Sequence, residues 1–248
     1  MLKKNRLLHF FTNSIAFGNI TWLSGRGNVF SGRLKVLRFR SKIIIKGQNN
    51  HITVNDGIIS RTKIYIKGNS NTLTIENDCS INNTIIWISG NNNKIILGKR
   101  IHINNADLGA EHTGSVMILK DGAQIGGFKT LGFSRNKTQL SRVYASEGKC
   151  IDIGEECAIS DGVTIRNSDS HPIFDENGTR INEPKDVSIG NGVWICSGAS
   201  LFKGAGIGVG SVLGGDSILT KDYSDLPNVL LAGSPAKPIK ENIRWSFD

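Results

Sequence analysis

The sequence predicts an all-β solenoid of stacked parallel coils. Three observations carry the prediction: a repeat with a period of 21 to 22 residues in the first half, a strict six-residue repeat in the second, and a composition built for turns. Internal repeats are the first thing to read in such a chain, because each unit cannot bury its apolar face without its neighbours. Glycine stands at 29 of 248 residues, while proline is limited to 5 and aromatics to 7%. That balance provides many corners and few bulky core layers, and it does not suit a bundle of helices.

The first repeat reads Ile-x-Ile-x-Gly-x-x-Asn-x-(Ile/Leu)-x-aliphatic. It occurs as Ile43-Ile45-Gly47-Asn50-Ile52-Val54, as Ile64-Ile66-Gly68-Asn71-Leu73-Ile75, and as Ile86-Ile88-Gly90-Asn93-Ile95-Leu97, with a looser copy at Leu23, Gly25, Asn28 and Phe30. Alternation of period two on both sides of Gly-x-x-Asn predicts strand, corner, strand. Gly and Asn both tolerate the positive φ that a sharp corner requires. A constant period then stacks each Asn on its predecessor, which a series of unrelated hairpins would not do.

The second repeat places Ile189, Ile195, Leu201, Ile207, Leu213 and Leu219 six residues apart, with Ile153, Ile159 and Ile165 as an earlier run. Two positions before the later set stand Val187, Val193, Ala199, Ala205, Ser211 and Ser217, all small or β-branched. Period six fits neither an amphipathic helix nor a surface strand. It fits a triangular coil in which each hexad forms one flat side with its aliphatic residue inward, three hexads complete a turn, and turns stack at about 4.8 Å. The expected organisation is a basic lead-in over 1–20, irregular Gly-x-x-Asn coils over 21–145, hexad coils over 146–232 and a C-terminal cap over 233–248. A loop excursion at about 167–186 and short flanking helices complete it.

Charge and apolar content exclude several classes. Up to Ile52 there are ten Lys and Arg and no acidic residue, whereas the rest carries 20 basic and 21 acidic groups. A basic end favours contact with an anionic partner such as a membrane surface or a polyanionic glycan. No motif or aromatic interleaving points to nucleic acid. The apolar stretch from Leu7 to Leu23 is broken by His9, Thr12, Asn13, Ser14 and Asn19, too polar for a membrane span or a signal peptide. It reads as an amphipathic lead-in helix with Leu7, Phe11 and Ile15 on one side. Cys79, Cys150, Cys157 and Cys196 lack CxxC spacing and are expected as reduced core residues, consistent with a cytoplasmic location or one peripheral to the inner membrane. No metal is expected. His102, His112 and His171 are too dispersed for the three-histidine zinc site of a β-helix carbonic anhydrase.

The regular sides of a solenoid offer no cleft, so a site is expected where the coil is interrupted. The hexads break between Arg166 and Lys185, and His171 lies in that break ahead of Pro172. Imidazole titrates near neutrality and can take a proton from a hydroxyl. Asp169 or Asp175 is the carboxylate placed to orient it.

The break and its flanks resemble a known family. Asp169-Ser170-His171-Pro172-Ile173, followed by Val187-Ser188-Ile189 and Val193-Trp194-Ile195, is similar to the hexapeptide-repeat acetyltransferases of maltose, galactosides and capsular polysaccharides. Ile181-Asn182-Glu183-Pro184-Lys185 adds a likeness to the polysialic acid and capsule O-acetyltransferases. The resemblance covers about 150–248 well and the earlier coils loosely. It implies a left-handed parallel β-helix, whereas periodicity alone, with the general right-handed rule for parallel crossovers, would have suggested the opposite hand. It implies an acetyl-CoA-dependent O-acetyltransferase with His171 as general base and Trp194 lining the acyl-CoA groove. Ala232-Gly-Ser-Pro-Ala-Lys237-Pro-Ile-Lys240 matches the closing motif, so Lys237 and Lys240 would meet the phosphates of coenzyme A, with Ser197, Gly215, Thr220 and Lys221 along the groove. It also implies a homotrimer with sites between protomers and a carbohydrate acceptor, a capsular or other surface glycan. Gly192 stands where many relatives carry His, and Cys196 where Gly is common. A ping-pong route through Cys196 ranks below direct transfer, since no paired base accompanies it. The other readings are N-acetylation of a nucleotide-linked amino sugar and a non-catalytic glycan-binding solenoid.

Overall fold

The computed structural model describes residues 20–33, 36–38, 40–126 and 139–247. The helix expected over Leu7, Phe11 and Ile15 lies outside them. The chain winds as a left-handed parallel β-helix whose strands fall into three sheets of nine, nine and ten strands, every third strand joining the same sheet. These sheets are called faces one, two and three. One coil illustrates the pattern: Lys63–Lys67 lies on face one, Thr72–Ile75 on face two and Ser80–Asn82 on face three.

Alternation decides which side of each strand is buried. Ile64 and Ile66, Leu73 and Ile75, and Ile81 point into the coil and are buried, while Lys63, Tyr65 and Lys67 between them face outward. Each fully buried Ile or Leu contributes roughly 1.5–3 kcal/mol, and the stack repeats that contribution coil after coil.

The corner between faces one and two explains the Gly-x-x-Asn signature. Gly68 has φ +121°, and a Cβ there would stand 1.9 Å from the carbonyl oxygen of Gly90 in the next coil. No side chain fits at that approach. The asparagines form the expected ladder: Asn71 Nδ2 donates to Asn50 Oδ1 at 3.0 Å and to the Gly90 carbonyl at 2.8 Å, and Asn71 Oδ1 accepts from the Asn93 amide at 3.0 Å. Asn50, Asn71 and Asn93 are wholly buried, so the ladder satisfies amides that water cannot reach.

In the hexad region the coil shortens to 18 residues. Trp194 pairs with Val212, and Val212 with Leu230, on face three. All six aliphatic hexad residues from Ile189 to Leu219 are buried, as are the small residues two positions before them. Strands from both repeat types join the same three sheets, so the stack is continuous where the repeat changes.

On face one, Thr164 pairs with Ser200, 36 positions on, whereas Ser200 pairs with Ile218, 18 positions on. The surplus is the excursion, which leaves at the corner after Thr164–Arg166 and returns at Val187–Ile189 on face two.

No helix occurs among the described residues, so the C-terminal flank differs from expectation. Ala236–Lys240 forms a strand antiparallel to Leu230–Gly233 at the end of face three. Pro235 and Pro238 lack amide donors, which disfavours a helix there. Beyond it the chain folds back, with the Ile243 amide donating to the Asn228 carbonyl at 2.9 Å.

Candidate active site

The excursion is a small β-hairpin. Phe174 bridges Arg180 in antiparallel fashion, and the Ile181 amide donates to the Ile173 carbonyl at 2.9 Å. At its tip Asp175 accepts the amides of Asn177 and Thr179 at 2.9 and 2.8 Å, the usual local work of an Asp in a turn. The Asp175 carboxylate is therefore engaged with the tip and not with His171.

The neck is closed by Asn182, which is almost fully buried. Its Nδ2 donates to the His171 carbonyl at 2.9 Å and to Asp169 Oδ2 at 2.8 Å, and its Oδ1 accepts the Ile173 amide at 2.6 Å. Lys203, from the following coil, forms a short ion pair with Asp169 Oδ2 and donates to the Asn182 carbonyl at 3.1 Å. The ammonium of Lys203, helped by the Asn182 amide, holds the Asp169 carboxyl below the usual carboxylate range against the opposing effect of burial. Asp169 thus secures the loop that carries His171, and it makes no hydrogen bond to the imidazole. The His171 side chain is exposed.

A second clamp ties the hairpin to the preceding coil. Arg180 Nη1 meets Glu147 Oε2 at 2.6 Å, and Ser168 Oγ donates to Glu147 Oε1 at 2.5 Å. The Arg180 guanidinium, and then the Ser168 hydroxyl, hold the Glu147 carboxyl low. Arg166 Nη2 donates to Ser170 Oγ at 2.6 Å, immediately before His171. Ser170 itself adopts φ +65°, which turns the chain outward at that point.

Trp194 lies elsewhere, on face three. Its ring is partly exposed, and Nε1 donates to Ser160 Oγ at 3.2 Å. A cavity of about 270 Å³ opens beside it, lined by Gln124, Ala158, Ser160, Trp194, Trp245 and Phe247. Trp245 comes from the folded-back tail. Its ring centroid is 5.8 Å from that of Trp194, and its Nε1 donates to the Gly192 carbonyl at 2.7 Å. Gly192 and Cys196, the two departures from the family pattern, stand two residues before and after Trp194 in the chain. Burial pushes the Cys196 thiol up, with no neighbouring cation or base acting to lower it, so it is a poor nucleophile.

The remaining residues expected to meet the cofactor fall into two further groups. Ser197 and Gly215 stack on successive coils at the corner leaving face three, and Ser197 Oγ donates to Asp161 Oδ1 at 2.8 Å. Lys237 and Lys240 are exposed on the closing strand of face three, opposite Ala232 and Leu230. Thr220 and Lys221 follow Ile218–Leu219 and so lie on the corner between faces one and two, the corner from which the hairpin leaves. Within one chain, therefore, His171 and Trp194 stand on different sides of the prism. Sequence reasoning missed Lys203, Asn182, Glu147 and Arg180 around His171, and Trp245 and Phe247 beside Trp194. A signal for the last pair exists in two aromatics within an otherwise polar tail.

No protein-family model matches the chain. The solved structure of the polysialic acid O-acetyltransferase OatWY is 31% identical with a TM-score of 0.75, over 86% of this chain and 92% of that one. The polysialic acid O-acetyltransferase of Escherichia coli O1:K1 / APEC is 40% identical over 100 residues, 40% of this chain and 32% of its own length. That of Neisseria meningitidis is 38% identical over 102 residues, 41% of this chain and 46% of its own length. The chain thus spans less than half of each of these two curated relatives.

Proposed function

From the premise that this chain belongs to the hexapeptide-repeat, left-handed β-helix acetyltransferase family, we propose that it transfers an acetyl group from acetyl-CoA to a hydroxyl of a polysaccharide. The observation that carries the reading is the clamped hairpin: a histidine, free to meet a substrate, on a loop whose backbone is fixed by Asn182, Asp169 and Lys203. Fixing the backbone while leaving the imidazole unengaged suits a group that must approach an acceptor hydroxyl closely.

In this reading His171 removes the proton from the acceptor hydroxyl, and the oxygen attacks the thioester carbonyl. The carbon–sulfur bond breaks, and coenzyme A leaves as its thiol with the proton His171 returns. Direct transfer is supported by the raised thiol of Cys196. Trp194 and the cavity beside it receive the pantetheine arm, Ser197 and Gly215 flank it, and Lys237 and Lys240 meet the phosphates. Because His171 and Trp194 lie on different sides of one chain, the complete site forms between protomers, with Thr220 and Lys221 approaching the donor from the hairpin's side.

The test is His171→Ala. It is expected to fold normally and to lose turnover by about two orders of magnitude or more, measured as thiol release from acetyl-CoA in the presence of a polysaccharide acceptor. Near-normal release by that variant would remove His171 from the mechanism.

A further inference from the structure

Face one carries an outward surface unlike the other two. Every second residue of a strand points outward, and here the outward positions form columns. The central column runs Ile44, Tyr65, Trp87, Gly109, Tyr144 and Arg166, one residue per strand in unbroken register. From Tyr65 to Arg166 it spans roughly 19 Å at the ordinary strand spacing.

Gly109 lets the aromatic members meet. A Cβ at that position would stand 2.3 Å from the Trp87 ring, so the indole lies over the glycine and reaches Tyr144, with ring centroids 5.6 Å apart. Asp107 holds both rings, accepting from Trp87 Nε1 at 2.7 Å and from the Tyr144 hydroxyl at 3.0 Å. Burial and the Asp107 carboxylate push the Tyr144 phenol up to about 12, so it remains a donor. The Arg166 guanidinium stands over the Tyr144 ring at 5.9 Å and also bonds Ser170, the neighbour of His171. The column therefore runs into the neck of the hairpin.

Lys42, Lys63 and Arg142 occupy the outward column on one side, and Lys46 and Lys67 the column on the other. With Arg166 they set six cations on this face against two carboxylates, Asp107 and Glu111, and Asp107 is already engaged by Trp87 and Tyr144. Among the described residues the four lysines make no ion pair. Partly exposed aromatic rings offer apolar platforms for the C–H faces of sugar rings, and free ammonium groups at either side attract carboxylates. We infer that face one is the binding track for the acceptor, an extended anionic polysaccharide, lying along Tyr65, Trp87 and Tyr144 with one sugar delivered past Arg166 to His171. The inference rests on the acetyl-transfer reading for its direction, since only the acceptor has cause to end at His171.

Binding and transfer are measured separately on the full chain. The probes are polysialic acid, hyaluronate and polygalacturonate, with neutral dextran of matched length and a single-stranded oligonucleotide of matched charge. Wild type and His171→Ala are expected to bind at least one of the three anionic glycans equally well. Trp87→Ala and the double variant Lys63→Glu/Lys67→Glu are expected to weaken that binding about tenfold, while thiol release with a monosaccharide acceptor stays unchanged. Lys63 and Lys67 are surface residues, so the charge variant tests the track even if Trp87→Ala fails to fold. Absence of binding to all three glycans, glycan affinity indifferent to the lysine reversal, or equal affinity for the oligonucleotide would each overturn the track. Lysine-dependent glycan binding by a protein that transfers no acetyl group would instead keep the track and overturn the proposed activity.

Discussion

Replacing Asn182 by Ala should loosen the neck that fixes the hairpin to the solenoid, while the Lys203–Asp169 and Arg180–Glu147 pairs remain. Four contacts vanish: one to the His171 carbonyl, one from the Ile173 amide, one to Asp169, and a long one from Arg180 Nε at 3.4 Å that adds little. A neutral hydrogen bond contributes about 1 kcal/mol net, and the bond to Asp169 counts for no more than that here because the carboxylate is partly exposed and keeps Lys203. The neck should therefore loosen by about 3 kcal/mol, equivalent to roughly a hundredfold rise in local opening. Amide hydrogen exchange reads this directly. The Ile173 and Ile181 amides should exchange about a hundredfold faster, while those in the face-two strands beneath, such as Val116–Leu119, keep their protection. Turnover should fall with the donor's KM little changed, because Trp194 lies on another face. Unaltered exchange at Ile173 would show that Asn182 does not fix the neck, and a matching loss of protection throughout the stack would show that the hairpin is not a separable unit.

Asn71→Ala should cost about 3 kcal/mol in chemical denaturation, since it leaves the buried Asn93 amide without its acceptor; a change within experimental error would remove the ladder's energetic role. Mixing equal amounts of dissociated and reassociated His171→Ala and Trp194→Ala protomers should restore about a quarter of wild-type turnover, because a site drawn from two neighbours is intact only when each supplies its unaltered residue. No recovery from the mixture would place both residues in one chain's site. Asp169 and Glu147 both have folded-state values below their ordinary ones, so the stability they lend is complete above the carboxylate range and is lost as pH falls through the depressed values. Protection of the hairpin amides, taken relative to their intrinsic exchange at each pH, should be steady from neutrality down to about pH 4 and fall below it; loosening that begins near pH 6 would point to a different group.

The interior of this molecule was legible because a solenoid is nearly one-dimensional. Ile189 through Leu219 announce their inward direction by period alone, and Asn50, Asn71 and Asn93 by theirs, since each meets only its copies one coil away. What lies outside the prism obeys no such period. Lys203 finds Asp169 across 34 positions only because the hairpin bends back over the next coil, and Asn182 closes the neck from the far strand of that hairpin. Thr220 and Lys221 looked like companions of Ser197 and Gly215, yet each hexad advances the chain by a third of a turn and moves them to a different corner. The C-terminal segment, expected to flank the stack as helix, forms a strand and a returning tail because two prolines and the open edge of face three favour pairing.

That closing strand has a consequence for the molecule as a whole. Parallel coils end in unpaired backbone groups, and an end of that kind can template another copy, head to tail, into a growing fibre. Faces one and two finish in strands of only two residues, Ile218–Leu219 and Asp222–Tyr223, which present little to copy. Face three, with the four-residue Leu230–Gly233, would be the dangerous rim, and it is the one that is covered. The cover runs antiparallel, contains Pro238, which has no amide to offer, and carries the charged, exposed side chains of Lys237 and Lys240 at the edge. The residues proposed to greet the donor's phosphates therefore also sit on the strand that closes this rim.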